Sequence, residues 1–363
     1  MTMLPKGPVP AIPLTVITGF LGAGKTTLLN KLLKDTALSE TLVIINEFGE
    51  IGLDHLLIEK VEDGVVLMQS GCLCCTIRGD LLDTLEGLLR KRDNGRIKPF
   101  QRILIETTGL ADPAPILQTV MSHPYLGILY QLEGVITLVD AVNAMATLDT
   151  QEEAVRQIAV ADRLVLSKID LVTNPKELDV LNARLKALNP AALLQISDEV
   201  SASFLLDCGL YSPASKSPDV SRWLRDEEVL ASLGQKSHRH TDGSLHILDK
   251  NNPPETHDIN RHDASIRAFS FSTDKAISAE SFTLFQELLR SAHGPKLLRL
   301  KAIVKIAERP ENPVIIHGVQ HVFHKPIILE KWPDKDKRTR FVFITKNLEP
   351  DFVLKLWEAF LQV

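Results

Sequence analysis

Between residues 14 and 197, short apolar runs alternate with stretches whose apolar residues recur at helical spacing. Leu14–Thr18, Leu42–Ile45, Val65–Met68, Arg102–Glu106, Gly134–Val139, Arg163–Ser167 and Leu193–Ile196 read as strands of the kind buried on both faces. Leu81, Leu82, Leu85, Leu88 and Leu89 mark one intervening helix, and a Gly-rich turn leads into another from about 26 to 34. Such alternation predicts an α/β fold with a mostly parallel sheet covered by helices. The pattern dissolves between 198 and 262, which is rich in Ser, Pro, Asp, Asn and His and reads as a connector or insertion. From 263 to 363 a smaller α+β domain is expected. Its strands are placed at Ile266–Phe271, Arg299–Ile306, Val314–His317, Val322–His324 and Phe341–Ile344. Its helices carry Phe282, Phe285, Leu288 and Leu289, then Phe352, Val353, Leu356, Trp357 and Phe360.

Composition narrows the function classes. A net charge of −5 over 363 residues argues against a polyanion partner, so nucleic acid is not expected. No apolar run approaches the ~20 residues of a membrane span. Residues 1–13 read as a Pro-rich leader without the apolar segment of a signal peptide, which predicts a cytoplasmic protein. Three of the four cysteines, Cys72, Cys74 and Cys75, fall within four residues, a spacing that suits metal or redox chemistry better than a disulfide framework.

Three motifs carry nucleotide chemistry. Gly19-Phe-Leu-Gly22-Ala23-Gly24-Lys25-Thr26 follows a predicted strand and opens a helix, the context that marks a phosphate-binding loop. Its glycines let backbone N–H groups converge on a phosphate, helped by the helix N-terminus. Lys25 is expected to reach the β/γ oxygens and Thr26 to offer a hydroxyl to Mg²⁺. Glu106-Thr-Thr-Gly109 ends an apolar strand, where the carboxylate suits Mg²⁺ through water and the Gly109 N–H could sense a γ-phosphate. Ser167-Lys168-Ile-Asp170 approximates a guanine-reading turn, with Ser where Asn or Thr is usual. The Asp170 carboxylate can accept both N1–H and N2–H of guanine, a donor pair that adenine lacks. GTP is therefore the expected nucleotide, with Mg²⁺ as its cofactor.

The thiols lie just after the strand at Val65–Met68. Three thiolates suit Zn²⁺ or Cu(I), and without a second Cys pair the site is open or completed from elsewhere. Glu47, Glu50, Asp54 and His123 are candidates for completion. Buried apolar cysteines and a redox thiol pair remain the alternatives. Cys208 is isolated and reads as incidental. His238, His240, His246, His257 and His262 lie in the connector and suggest a weak metal collector or a solvated linker. His317, His321 and His324 read as satisfied histidines rather than ligands.

GFLGAGKTTLLN, INEFGEIGLD, GCLCC, ETTGLADPAP and SKID, in that order, resemble the CobW/YjiA family of metal-handling GTPases, the P-loop branch that includes HypB and UreG. LLRLKAIV and the Phe341–Ile344 strand resemble the family's C-terminal module. The resemblance implies a metallochaperone that delivers a metal, most often zinc and in one branch cobalt, to a client protein with GTP as a switch. It implies that Gly22, Gly24, Lys25, Thr26 and Thr27 bind phosphates and Mg²⁺, and that Lys168 and Asp170 bind guanine. It assigns the transferred metal to Cys72, Cys74 and Cys75, with Glu50 and His123 at positions that add ligands. A carboxylate of the 46–54 segment is expected to orient the attacking water. Glu47 is the candidate carried forward, although the pattern does not choose among them. With no evident arginine finger, turnover should be slow unless a homodimer or the client accelerates it. Cobalt delivery for cobalamin synthesis and a regulatory GTP switch with structural zinc are the alternatives.

Overall fold

A computed structural model of the protein describes residues 11–48, 65–70, 76–202, 204, 208, 246–248, 265–323 and 326–362. The first unit is an α/β layer around strands β1 (Ile12–Gly19), β2 (Thr41–Phe48), β3 (Val65–Ser70), β4 (Arg102–Glu106), β5 (Tyr130–Asp140), β6 (Arg163–Ser167) and β7 (Leu193–Ile196). They form a seven-stranded sheet in the order β3-β2-β4-β1-β5-β6-β7, and every pairing is parallel. Helices α1 (Lys25–Leu32), α2 (Thr76–Asp93), α3 (Ala114–Ser122), α4 (Leu126–Leu129), α5 (Ala144–Thr150), α6 (Glu152–Ala159) and α7 (Pro175–Leu188) make the crossovers. Central strands such as Leu14–Ile17 and Ile103–Ile105 bury both faces, which is why they read as continuous apolar runs rather than alternating ones.

Two expected boundaries move. β5 begins at Tyr130, four residues before the expected Gly134, because Glu133 is a strand residue despite its charge. Its carboxylate is buried and accepts from Thr15 Oγ1 at 2.9 Å and from Arg102. α1 begins at Lys25, inside the phosphate loop. The region expected to be a connector also contributes to the core. Val200, Ala202 and Cys208 pack with Leu28, Leu29 and Ile136, and Cys208 lies against Gly134. Cys208 is thus a buried apolar packing residue, and its burial pushes the thiol pKa up.

The second unit is an antiparallel sheet backed by two helices. Its strands are β8 (His246–Leu248), β9 (Ile266–Thr273), β10 (Leu297–Val304), β11 (Val314–Val319), β12 (Val322–Phe323), β13 (Ile327–Ile328) and β14 (Thr339–Lys346). The helices are α8 (Ala279–His293) and α9 (Pro350–Leu361). The order is β12-β11-β10-β14-β9-β8, with β13 on β11. Register places Phe271 opposite Phe341 and Phe269 opposite Phe343, and both pairs stack, at 4.8 and 5.1 Å between centroids. Phe285 and Trp357 close over them from α8 and α9. Such aromatic contacts add to the area they bury. β8 occupies part of the expected connector; His238, His240, His257, His262 and His324 lie outside the described residues.

The two units share buried surface. Ile266, Ala268, Leu298 and Ile344 of the second sheet cluster with Ala154, Ile158 and Leu181 of the first unit. Arg299 and Lys301 of β10 reach Asp162 at the start of β6, with Lys301 Nζ at 3.0 Å. Burial opposes ionisation of Asp162, but the two cations outweigh it and hold the carboxyl well below its ordinary range.

Candidate nucleotide site and thiol segment

A parallel sheet of this kind offers its ligands the carboxyl edge, where strands turn into helix N-termini. β1 ends there at Gly19, and the loop to α1 is Phe20–Gly24. Gly24 caps α1 with φ +87°, a left-handed conformation that glycine adopts without steric cost. Lys25 is buried and folds back on its own loop, its Nζ donating to Gly19 O at 3.0 Å and to Phe20 O at 3.4 Å. Thr26 is half-buried and Thr27 exposed on the first turn of α1. Gly22 and Ala23 complete the loop, with Ala23 N donating to Phe20 O at 3.1 Å.

Register ties Glu106 to this loop. Glu106 pairs with Ile17 of β1 and with Ile45 of β2, so the ends of all three strands lie side by side. The carboxylate is buried, and Thr26 Oγ1 donates to its Oε1 at 3.4 Å. A hydroxyl and a carboxylate beside Lys25 form the hard oxygen set that suits Mg²⁺. Gly109 crosses the phosphate loop so closely that a Cβ there would sit 2.5 Å from Leu21 N. Only glycine permits that approach. Glu47 lies two residues beyond the Ile45–Glu106 level, on the β2 backbone at the same edge.

The Ser167-Lys168-Ile169-Asp170 turn is clipped to the same loop. Ser167 Oγ donates to Ala23 O at 2.7 Å. The Ser that departs from the usual motif therefore joins β6 to the phosphate loop. Lys168 sits at φ 58°, ψ 31°, a left-handed conformation uncommon for a side chain with a Cβ and found mostly at functional turns. Its ammonium holds Asp140 at 2.8 Å. Burial alone would raise the Asp140 pKa, but hydrogen bonds from Lys168 and Asn143 lower it. Asp170 follows on a short 3-10 turn and is exposed.

Cys72, Cys74, Cys75, Glu50 and Asp54 lie outside the described residues. The chain enters the thiol segment from Ser70, the last residue of β3, and leaves it at Thr76, the first of α2. Both flanking positions are on the carboxyl edge. His123 is not. It caps the C-terminus of α3, accepts from Leu126 N at 3.3 Å through Nδ1, and lines a cleft with Ala11, Tyr130 and Ile327 at the amino edge. α3 runs back along the sheet, so His123 is separated from the phosphate loop by roughly the length of β1, about 25 Å at ~3.3 Å per residue. His123 therefore lies at the opposite edge from Ser70 and Thr76, the described residues that flank the thiol segment. His321 bonds Gln118 and His317 is a partly buried β11 residue, as expected of structural histidines.

A family model described as the CobW/HypB/UreG nucleotide-binding domain matches residues 13–195, and one described as the cobalamin synthesis protein cobW C-terminal domain matches 266–361. The chain belongs to the CobW family. Its CobW-type relatives include the zinc chaperone YjiA of Escherichia coli, 34% identical over 333 residues, 92% of this chain and 93% of that one. The zinc-regulated GTPase metalloprotein activator 1 of Schizosaccharomyces pombe is 30% identical over 365 residues, 93% of this chain and 83% of that one. Among solved structures, zinc-bound YjiA GTPase from E. coli superposes with a TM-score of 0.66 at 26% identity, covering 97% of this chain and 99% of that chain. The resemblance read from the motifs is thereby borne out. No helix among the described residues is long and apolar enough to cross a membrane.

Sequence reasoning passed over Gln157. It is buried on α6, with its Nε2 donating to Gly109 O at 3.2 Å and to Ala111 O at 2.9 Å. No motif flags it, because its role comes from packing against a segment nearly fifty positions earlier in the chain.

Proposed function

We propose that this CobW-family protein is a GTP-hydrolysing metallochaperone that carries zinc on the segment containing Cys72, Cys74 and Cys75 and hands it to a client protein. The observation that carries the nucleotide part is the Ser167 Oγ bond to Ala23 O. It fixes the base-reading turn on the phosphate-reading loop, so that both ends of one guanine nucleotide are met by one rigid unit. Lys25 and the loop's N–H groups stabilise charge on the transferring phosphoryl group. Thr26 and Glu106 would hold Mg²⁺, which supplies charge neutralisation at the phosphates when bound. Glu47, on the β2 backbone at the same edge, is the candidate to orient the attacking water. Lys168 lies along the base and Asp170 accepts from its two donors.

The cargo part rests on thiol chemistry and on the relatives, two of which carry zinc in their names. Glu50 remains a candidate ligand. Thiolates must stay reduced to exchange metal, a requirement that a reducing, cytoplasmic compartment would meet. In this reading residues 14–197 are the GTPase domain, 263–363 the C-terminal domain and most of 198–262 a connector.

Side-by-side turnover of Mg-GTP and Mg-ATP tests the proposal, with Asp170→Asn as the second arm. Native protein should favour GTP, and the variant should lose GTP and gain xanthosine triphosphate, whose C2 oxygen accepts where guanine donates. Equal use of ATP and GTP by the native protein would overturn it.

A further inference from the structure

The chain after Glu106 runs across the phosphate loop and is held at successive points. Thr107 N donates to Ile17 O at 2.9 Å and Thr107 Oγ1 bonds Thr18 Oγ1 at 2.8 Å, which ties it to β1. Ala111 N donates to Thr108 O at 3.2 Å, closing a turn around Gly109. Gln157 then takes both the Gly109 and the Ala111 carbonyls on one amide nitrogen. Two carbonyl acceptors require the amide –NH₂ rather than its oxygen, so the orientation of the side chain follows from its surroundings. Asp112, next in line, accepts from Arg156 of the same helix at 3.2 Å and from Gln320 of the β11–β12 turn at 3.5 Å.

Gln157 thus pins the peptide plane on the C-terminal side of Gly109, and the Gly109 Cα lies so close to the phosphate loop that a Cβ there would meet Leu21 N at 2.5 Å. A side chain that is 1% exposed and spends both amide hydrogens on one backbone turn is costly to order unless the turn must be precise. We infer that Gln157 is a positioning residue for γ-phosphate recognition: it holds the 109–111 turn against the phosphate loop, from where the Gly109 N–H can meet the third phosphate. The inference deepens the proposed GTPase reading and rests on it. Gln157 acts through the backbone it holds, so it separates GTP from GDP and contributes nothing to the base or to the first two phosphates. The neighbouring Thr137 Oγ1, which donates to the Gln157 main-chain oxygen at 2.8 Å, serves the fold alone and supplies a matched control.

The experiment compares affinities for the magnesium complexes of guanosine imidotriphosphate and GDP in the native protein, Gln157→Leu and Thr137→Val. Thermal unfolding is followed in parallel. Loss of two hydrogen bonds of ordinary strength predicts that Gln157→Leu lowers the analogue-to-GDP affinity ratio by roughly tenfold and slows GTP turnover to match, with GDP affinity within about twofold of native. Thr137→Val should lower the unfolding temperature and leave the ratio unchanged. Gln157→Met keeps the unbranched length without the donor and carries the same test if the leucine variant does not fold. A native ratio in a folded Gln157 variant overturns the inference, as does an equal fall in Thr137→Val, which would make the effect one of general loosening. A native protein that turns over no GTP overturns the proposed function itself. A native GTPase with an unaffected Gln157→Leu ratio overturns only the inference.

Discussion

The two edges of the first sheet handle charge in opposite ways. At the amino edge charges meet countercharges. Glu133 is paired with Arg102, and Asp162 with Arg299 and Lys301 from the second unit, all of them buried or nearly so. At the carboxyl edge Lys168 also pairs with Asp140, while charged groups of the phosphate loop bond backbone and hydroxyl groups. Lys25 turns onto the carbonyls of its own loop, Glu106 meets a threonine hydroxyl, and Asp170 stands exposed. Ions paired with each other join pieces of structure. Ions held by the main chain keep their charge directed at a ligand. The sheet thus carries its buried ion pairs to the C-terminal unit at one edge and its phosphate loop at the other.

Exchanging the damage between edges gives the largest expected effects. Asp162→Ala removes a buried countercharge from Arg299 and Lys301 and should destabilise the fold by about 3–5 kcal/mol, read from denaturant unfolding, while nucleotide affinity of the folded fraction stays within about twofold. Lys25→Ala should do the reverse. GTP turnover should fall by at least about 100-fold, with the unfolding midpoint near native. If Asp162→Ala abolished nucleotide binding in folded protein, or if Lys25→Ala unfolded it, the division between edges would not hold.

The next effect concerns the thiol segment, which leaves β3 at the carboxyl edge. Changing Cys74 and Cys75 together to Ser should remove one tightly bound equivalent of Zn²⁺, with stability unaffected. A double variant that retains the equivalent at native affinity would place the cargo site elsewhere. With Co²⁺ in place of zinc, the native protein should show a thiolate charge-transfer band that the variant lacks.

The smallest effect is at a contact between the units. Glu152 opens α6 and bonds Lys346 of β14 and Arg156 of its own helix, at 2.5 Å for the latter. Lys346 first and Arg156 second hold its pKa down to about 2, against a usual 4.5. The lowered folded-state value means that the pair stabilises the protein above about pH 4.5, and that the gain disappears as pH falls towards 2. Glu152 is partly exposed, so the gain should be well under 1 kcal/mol. Lys346→Met should therefore be slightly less stable than native at pH 6 and indistinguishable from it near pH 2.5. A difference that grows on acidification would contradict the assignment.

Much of the carboxyl edge was legible in the sequence because its chemistry is local. A phosphate loop, a carboxylate at a strand end and a Ser-Lys-x-Asp turn each state their role within eight residues, and the parallel sheet places them together. The amino edge was not legible. Glu133 falls just outside the expected strand at Gly134–Val139, and its burial is explained by Thr15, 118 positions earlier, and Arg102, 31 positions earlier. Asp162 finds its partners 137 and 139 positions later, so no local pattern announces them. The edge that His123 occupies was not legible either, because it depends on the run of α3 back along the sheet. Cys208 read as incidental because the surrounding composition is that of a connector, yet the apolar residues before it pack on α1.

The proposed function requires that the nucleotide control the metal. Switch segments in GTPases are ordered by the γ-phosphate and released on hydrolysis. The thiols lie in sequence between Ser70, which ends β3, and Thr76, which opens α2, and both of these flanking residues are on the edge that carries Gly19 and Glu106. The direct measurement is zinc affinity, by competition with a chromophoric chelator, in protein saturated with Mg-guanosine imidotriphosphate and in protein saturated with Mg-GDP. The account predicts tighter zinc binding with the triphosphate by roughly 5- to 150-fold, and an equal tightening of the analogue by zinc, as linkage requires. Zinc affinities that agree within twofold in the two states would contradict it and leave a GTP switch with structural zinc.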